Sequence, residues 1–163
     1  GARAGGPKFT NTAGNHAGIV VRNILFNLPA KVDYSALPWV TYLDPEIAHV
    51  GLTEAEAVKR HGKVETIVRD LHENDRANTE GQTEGFVKLL FAREDMKLLG
   101  VHIIGEIASE LIHVGVTAML AGATADIFIR TCYNYPTLSD MYKYATYDAM
   151  GRKAREDVFL STE

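Results

Sequence analysis

Gly85-Phe-Val-Lys-Leu-Leu-Phe-Ala92, Arg93-Glu-Asp95 and Met96-Lys-Leu-Leu-Gly-Val-His-Ile-Ile104 form one continuous pattern that decides the fold class. Two apolar runs flank a short polar turn, which predicts an antiparallel hairpin. A parallel crossover would need a dozen or more residues between the strands. Lys88 and His102 interrupt the runs. One face of the sheet is therefore expected to be covered and the other partly polar.

C-terminal to the hairpin, Glu106 to Ala121 is the strongest helix pattern. Ile107, Leu111, Val114 and Ala118 make one stripe, Ile112, Val116 and Met119 widen it, and Gly122 stops it. A stripe that wide suits a helix touching both its own sheet and a second surface. Ala125 to about Arg130 reads as a short helix. A last helix is expected from Thr137 or Ser139 to about Met150, followed by a loosely held charged tail. N-terminal to the hairpin, Val64 to Leu71 reads as a strand and residues 72–84 as a polar loop. Thr53-Glu-Ala-Glu56 is a capping box for a helix to about His61, with Gly62 behind it. Trp39-Val-Thr-Tyr-Leu43 reads as a strand closed by Asp44-Pro45-Glu46. Residues 1–14 read as loop. Asn15 is the expected cap of a helix from His16 to about Asn27, with Ile19, Val20, Ile24 and Leu25 on one face and Pro29 ending it. The expected fold is α+β: an antiparallel β-sheet flanked by helices, with an N-terminal loop-helix appendage. Its boundaries are placed at 1–37 for the appendage, 38–151 for the sheet domain and 152–163 for the tail.

The formal net charge of -4, with no more than two adjacent Lys or Arg residues, argues against nucleic acid as a partner. The single cysteine, Cys132, excludes an internal disulfide and a Cys-rich metal site. No two of the six histidines show the i, i+4 zinc spacing, so no metal site is expected. Apolar runs fall far short of the roughly 18–20 residues that span a bilayer, and no signal-peptide segment opens the chain, so no membrane partner is expected. The chain starts without Met and is expected to be processed or a fragment, in a cytoplasmic setting.

Trp39-Val-Thr-Tyr-Leu-Asp-Pro-Glu-Ile-Ala-His-Val-Gly-Leu-Thr53 resembles the opening of the dimerisation domain in the pyridine nucleotide-disulfide oxidoreductases. There a hydrophobic strand is followed by Pro-Glu-x-x-x-Val-Gly-Leu-Thr-Glu. Pro45, Glu46, Val50, Gly51, Leu52, Thr53 and Glu54 all fit, and Thr83-Glu-Gly-Phe-Val-Lys88, Leu99-Gly100 and Gly105 continue the same domain. Thr131-Cys-Tyr-Asn-Tyr-Pro-Thr-Leu-Ser-Asp140 resembles the family's closing His-Pro-Thr-x-x-Glu motif, which reaches across a dimer into the partner's active site. At the other end, Gly1 to Thr10 is similar to the segment closing the flavin-binding region, and His16 to Asn23 to the helix after it.

The resemblance implies an intact enzyme that uses FAD and NAD(P), with no cofactor expected on this chain alone. It also implies two partners, a second copy in a homodimer and the rest of the flavoenzyme. Phe9 and Thr10 would lie along the flavin ring, and Pro136 near it. Ala2 takes the place of an Asp that binds the flavin's ribityl chain. Tyr135 and Asp140 stand where the family's His and Glu act. A tyrosine, with a reference pKa of about 10, is a poor proton acceptor at neutral pH but a competent hydrogen-bond donor. Tyr in this place is similar to the mercuric-reductase and soluble-transhydrogenase branches. The former carry a C-terminal Cys pair that this chain lacks, so the latter, or an uncharacterised relative of either, are preferred. Read from residues alone, Pro136-Thr137 starts a helix with Asp140 at its N-terminal dipole. Tyr133, Tyr142, Tyr144 and Tyr147 are expected in the core or an interface, Cys132 in packing, Glu46 and Glu54 as solvated helix-end charges, and Asp75-Arg76 in a surface turn. The chain contains no Gly-x-Gly-x-x-Gly and no Cys-x4-Cys pair. The sequence therefore reads as the dimerisation and active-site-completing part of a flavoenzyme, inactive alone. The alternative is a stand-alone homodimeric interaction module with no redox role.

Overall fold

The computed structural model describes residues 6–160. Contacts divide the chain into two units between Leu37 and Pro38. In the first unit, α1 spans Thr10–Phe26 and starts six residues before the expected His16. Thr10 to Gly14 are thus helical rather than loop. Tertiary contact overrides weak propensity here: Thr12 is buried, and His16 Nε2 meets the Tyr34 hydroxyl at 2.8 Å. Asn27 closes the helix with a left-handed φ of 50°. Asn23 then holds the returning chain, its Oδ1 accepting from Ala30 N at 2.8 Å and its Nδ2 donating to Ala30 O at 3.0 Å.

The second unit is built on five strands. These are β1 (Trp39–Thr41), β2 (Glu46–Gly51), β3 (Val64–Asp70), β4 (Phe86–Ala92) and β5 (Leu98–Gly105). Their spatial order is β1-β2-β5-β4-β3, and every neighbouring pair is antiparallel. The hairpin is β4–β5, with Lys88 opposite His102 and a register shift between Leu90 and Phe91. β2 was not expected. Asp44-Pro45 reads as the end of β1, yet the chain reverses there and Glu46–Gly51 pairs with β1 on one side and β5 on the other.

The helices are α2 (Glu54–His61), α3 (Asp75–Glu80), α4 (Ala108–Leu120), α5 (Ala125–Arg130) and α6 (Met141–Leu160). The α2 capping box is complete, with Thr53 and Glu56 bonded reciprocally. α3 replaces part of the expected loop. α4 and α6 cover one sheet face, where Val50, Ile67, Val87, Leu89, Val101 and Ile103 are fully buried. At roughly 25 cal/mol per Å2 of apolar surface, burial of this kind supplies the main drive to fold. α2 lies on the β3–β5 half of the opposite face, over Leu90, Ala92 and Leu99. The buried residues of α4 are Ala108, Leu111, Ile112, Gly115 and Ala118, while Ile107 is exposed. The covered stripe is therefore rotated from the expected one. Small residues at 108, 115 and 118 let the helix approach the sheet, and a Cβ on Gly115 would meet Val101 Cγ2 at 2.8 Å.

The expected loose tail is helical as far as Leu160, and residues 161–163 lie outside the described residues. α6 continues ten residues past Met150, to Leu160. Arg152 donates to Thr66 O at 3.1 Å, and Arg93 pairs with Glu65, Asp157 and Glu156. These charges tie the last turns to β3 and to the β4–β5 turn. No helix among the described residues is long and apolar enough to cross a membrane.

Candidate functional site

The turn from Asn134 to Thr137 carries Tyr135 and Pro136, joined by a cis peptide bond. Thr137 Oγ1 donates to Asn134 O at 2.8 Å and closes the turn. A short 3-10 turn, Leu138–Asp140, follows and leads into α6. Pro136 and Thr137 thus stand just ahead of a helical segment that opens at Leu138.

Asn74, a residue without an expected role, fixes this turn. Its Oδ1 caps α3 by accepting from Ala77 N at 2.9 Å. Its Nδ2 donates to Asp140 Oδ1 at 2.8 Å and to Thr137 O at 3.0 Å. Asn74 and Asp140 are both buried. Burial, and then the nearby charge of Asp75, raise the Asp140 pKa above the ordinary carboxylate range, while Asn74 and Arg69 oppose the shift. A buried carboxylate held by an amide donor is a structural anchor that fixes the backbone beneath Tyr135.

Tyr135 points outward and is 73% exposed. Its hydroxyl donates to Asp75 Oδ2 at 2.8 Å. That bond, with the charge of Asp75, raises the phenol's pKa and keeps it protonated at neutral pH. Asp75 is the first residue of α3, so one short helix serves both halves of the site: its cap grips the turn from below, and its first carboxylate orients the tyrosine. The sequence assigns Asn74 no role and Asp75 only a surface turn. Asn-Asp ahead of a short polar segment was the available signal, since both residues favour helix starts.

Pro136 and Thr137 line a cleft of about 720 Å3, together with Arg76, Glu106 and Glu110. Phe9 and Thr10 belong to the first unit, at the start of α1. Phe9 occupies the N-cap position and supplies no side-chain cap. Among the described residues Thr12 Oγ1 is buried without a hydrogen-bond partner. Amides of an uncapped first helical turn suit a carbonyl or anionic oxygen. Ala2 lies outside the described residues.

Tyr142 is core, stacked on Phe128 with its hydroxyl donating to Leu111 O at 3.0 Å, and burial pushes its pKa up. Tyr144 and Tyr147 are partly exposed on α6. Cys132 is exposed rather than packed, because it sits in the extended segment after α5. Glu46 and Glu54 are engaged rather than merely solvated. Glu46 accepts from Ser109 N at 2.8 Å, satisfying an amide in the first turn of α4, and Glu54 binds Lys88 and Thr66.

One electrostatic feature lies elsewhere on the sheet. His49 and His102 face each other across β2 and β5, with Nδ1 atoms 3.1 Å apart. Burial, then the neighbouring His49, push His102 from 6.5 down to about 4. A histidine with a depressed folded pKa takes up its proton later than in the unfolded chain, so stability falls as pH drops from 6.5 toward 4. His102→Gln is expected to flatten that fall in thermal melts across this range. Identical slopes in the two proteins would contradict the assignment.

Residues 37–146 match the family model "Pyridine nucleotide-disulphide oxidoreductase, dimerisation domain". Mitochondrial dihydrolipoyl dehydrogenase from Dictyostelium discoideum is 40% identical over 145 residues, covering 88% of this chain and 29% of that protein. Soluble pyridine nucleotide transhydrogenase from Mycobacterium bovis is 40% identical over 111 residues, covering 68% of this chain and 24% of that protein. The crystal structure of LpdA from Mycobacterium tuberculosis superposes with a TM-score of 0.82 at 25% identity, covering 88% of this chain and 31% of that one. The chain therefore spans under a third of the length of the relatives it matches.

Proposed function

Since the chain belongs to the pyridine nucleotide-disulphide oxidoreductases, as a dimerisation domain of that family, we propose that it builds the two-fold interface of a FAD-dependent, NAD(P)-linked oxidoreductase and completes its active site. The observation that carries this reading is the outward-facing Tyr135 on a turn anchored by the buried Asn74–Asp140 pair. A reactive group served to a neighbouring site needs this combination of an exposed tip and a fixed base. Tyr135, kept protonated beside Asp75, turns its single O–H from that carboxylate to the acceptor bound beside the flavin and exchanges no proton at neutral pH. That chemistry favours the transhydrogenase-like branch over dithiol exchange, which calls for a base.

FAD supplies the electron chemistry when bound. Residues 1–37 serve as the end of the flavin-binding domain. Phe9 and Thr10, at the start of α1, lie along the flavin ring, and Pro136 shapes the cleft beside the Tyr135 turn. Residues 38–151 form the dimerisation domain. A second copy docks along α4 and α6, where Ile107, Leu120, Tyr147 and Met150 are exposed. The homodimer works in the cytoplasm, and the chain alone binds no cofactor.

Tyr135→Phe in the full-length enzyme tests the assignment. The reductive half-reaction, from NAD(P)H to flavin, is expected to hold its rate while the oxidative half slows by about tenfold or more. An unchanged oxidative half-reaction would demote Tyr135 to packing. The chain alone should sediment as a colourless dimer, and a yellow monomer would contradict the reading.

A further inference from the structure

We propose that His49 and His102 form a two-nitrogen chelate for a divalent cation of the zinc and copper class beside α2, on the sheet face away from α4 and α6. The β2–β5 register sets these residues directly opposite each other. Val50 and Val101, one position along, point into the core, so the two imidazoles project from the face away from α4 and α6. Both are half-buried on the surface, and their Nδ1 atoms converge to 3.1 Å with ring centroids 4.5 Å apart. With metal–nitrogen bonds of about 2.0–2.1 Å, two ligands lie roughly 3.3 Å apart around a tetrahedral ion and roughly 2.9 Å apart around a square-planar one. The observed separation falls between these values.

The protonation pattern supports the same assignment. His102 Nε2 lies 3.2 Å from Leu52 O, and a carbonyl only accepts, so Nε2 carries the hydrogen. The neutral ring therefore presents its Nδ1 lone pair to His49. A ring N–H held by a backbone carbonyl is the usual support of a metal-binding histidine. His49 Nδ1 then carries the hydrogen of the 3.1 Å contact, and a cation takes that hydrogen's place once His49 holds its own hydrogen on Nε2. Carboxylates of Glu54 and Glu56 lie close enough to act on the pair through their charge, and Lys88, the nearby cation, is held by Glu54. Water completes the coordination. The ligands come from separate strands, 53 residues apart, so no sequence spacing betrays them. Asp70, His72 and Glu73, which bring three ligand atoms close together, are all exposed, and Arg69 already engages Glu73.

Trp39 gives the test its readout. It is the only tryptophan in the chain, and its ring meets His49 edge-on with centroids 6.0 Å apart. Titration of the tag-free full chain with Cu2+ is expected to quench its fluorescence saturably, with one ion per chain, and prior Zn2+ should prevent the quenching. His49→Asn and His102→Asn should each weaken binding at least about tenfold, since loss of a ligand exceeds loss of a supporting hydrogen bond. His72→Asn should leave the titration unchanged. In the unaltered chain, Zn2+ should shift the imidazole nitrogen resonances of His49 and His102 and of no other histidine. That measurement stands even where a variant fails to fold. Unsaturable quenching, titrations insensitive to both substitutions, or unmoved His49 and His102 resonances would overturn the proposal.

Discussion

Gly51→Ala is expected to destabilise the fold by about 3–4 kcal/mol, the sum of a positive-φ penalty and a backbone clash. Gly51 has φ 83°, and a Cβ there would come within 2.4 Å of Leu99 O and 2.9 Å of Gly100 Cα. Neither contact is the end of a flexible side chain. Leu52 N donates to that same Leu99 oxygen at 2.9 Å, so the carbonyl is held where it would collide. The Val-Gly-Leu stretch thus needs glycine for a specific reason: β2 must leave the sheet against β5 just before the α2 cap. Gly122 supplies the control. Its φ is 65°, but a Cβ added there would meet nothing within 4 Å. Gly122→Ala should therefore cost only about 1 kcal/mol, the conformational part alone. Equal losses for the two substitutions in chemical denaturation would refute the clash argument.

Asn74→Ala should be nearly as damaging, at about 2–4 kcal/mol. It removes the cap of α3 and leaves the Asp140 carboxylate and the Thr137 carbonyl without their shared donor. Asn74→Asp separates the two effects. It keeps an oxygen for Ala77 N but sets a second carboxylate against Asp140. Asp140 already has a raised pKa, so its folded form binds a proton more tightly than the unfolded chain. Stability of Asn74→Asp should therefore recover as pH falls through that folded pKa, whereas Asn74→Ala should recover less. Melting curves of both variants from neutral to acidic pH check this. A deficit in Asn74→Asp that does not shrink with acid would mean that the buried pair is not electrostatic.

Local signals made much of the fold legible. The hairpin followed from two apolar runs around Arg93-Glu-Asp95, and α2 from a capping box whose two bonds are both present. β2 was hidden because Asp44-Pro45 looks like a terminator, and the pairing that makes Glu46–Gly51 a strand comes from β5, more than fifty residues away. α3 has no apolar period to read. It is a six-residue polar helix held by its Asn74 cap and the burial of Ala77. The end of α6 was hidden for a related reason: its apolar pattern fades, and ion pairs with Arg93 take over. The site divides in the same way. The Tyr135-Pro136-Thr137 turn is visible in the sequence as a motif, but its anchor and its orienting carboxylate lie some sixty residues earlier. Only the fold brings Asn74 and Asp75 to it.

The most direct measurement places a photoreactive phenylalanine analogue at position 135 of the intact enzyme and irradiates it. If the Tyr135 turn serves a redox centre in the other subunit, the product is a covalent dimer on a denaturing gel, joined to a flavin-domain peptide of the second copy. A cross-link confined to one chain would contradict that account.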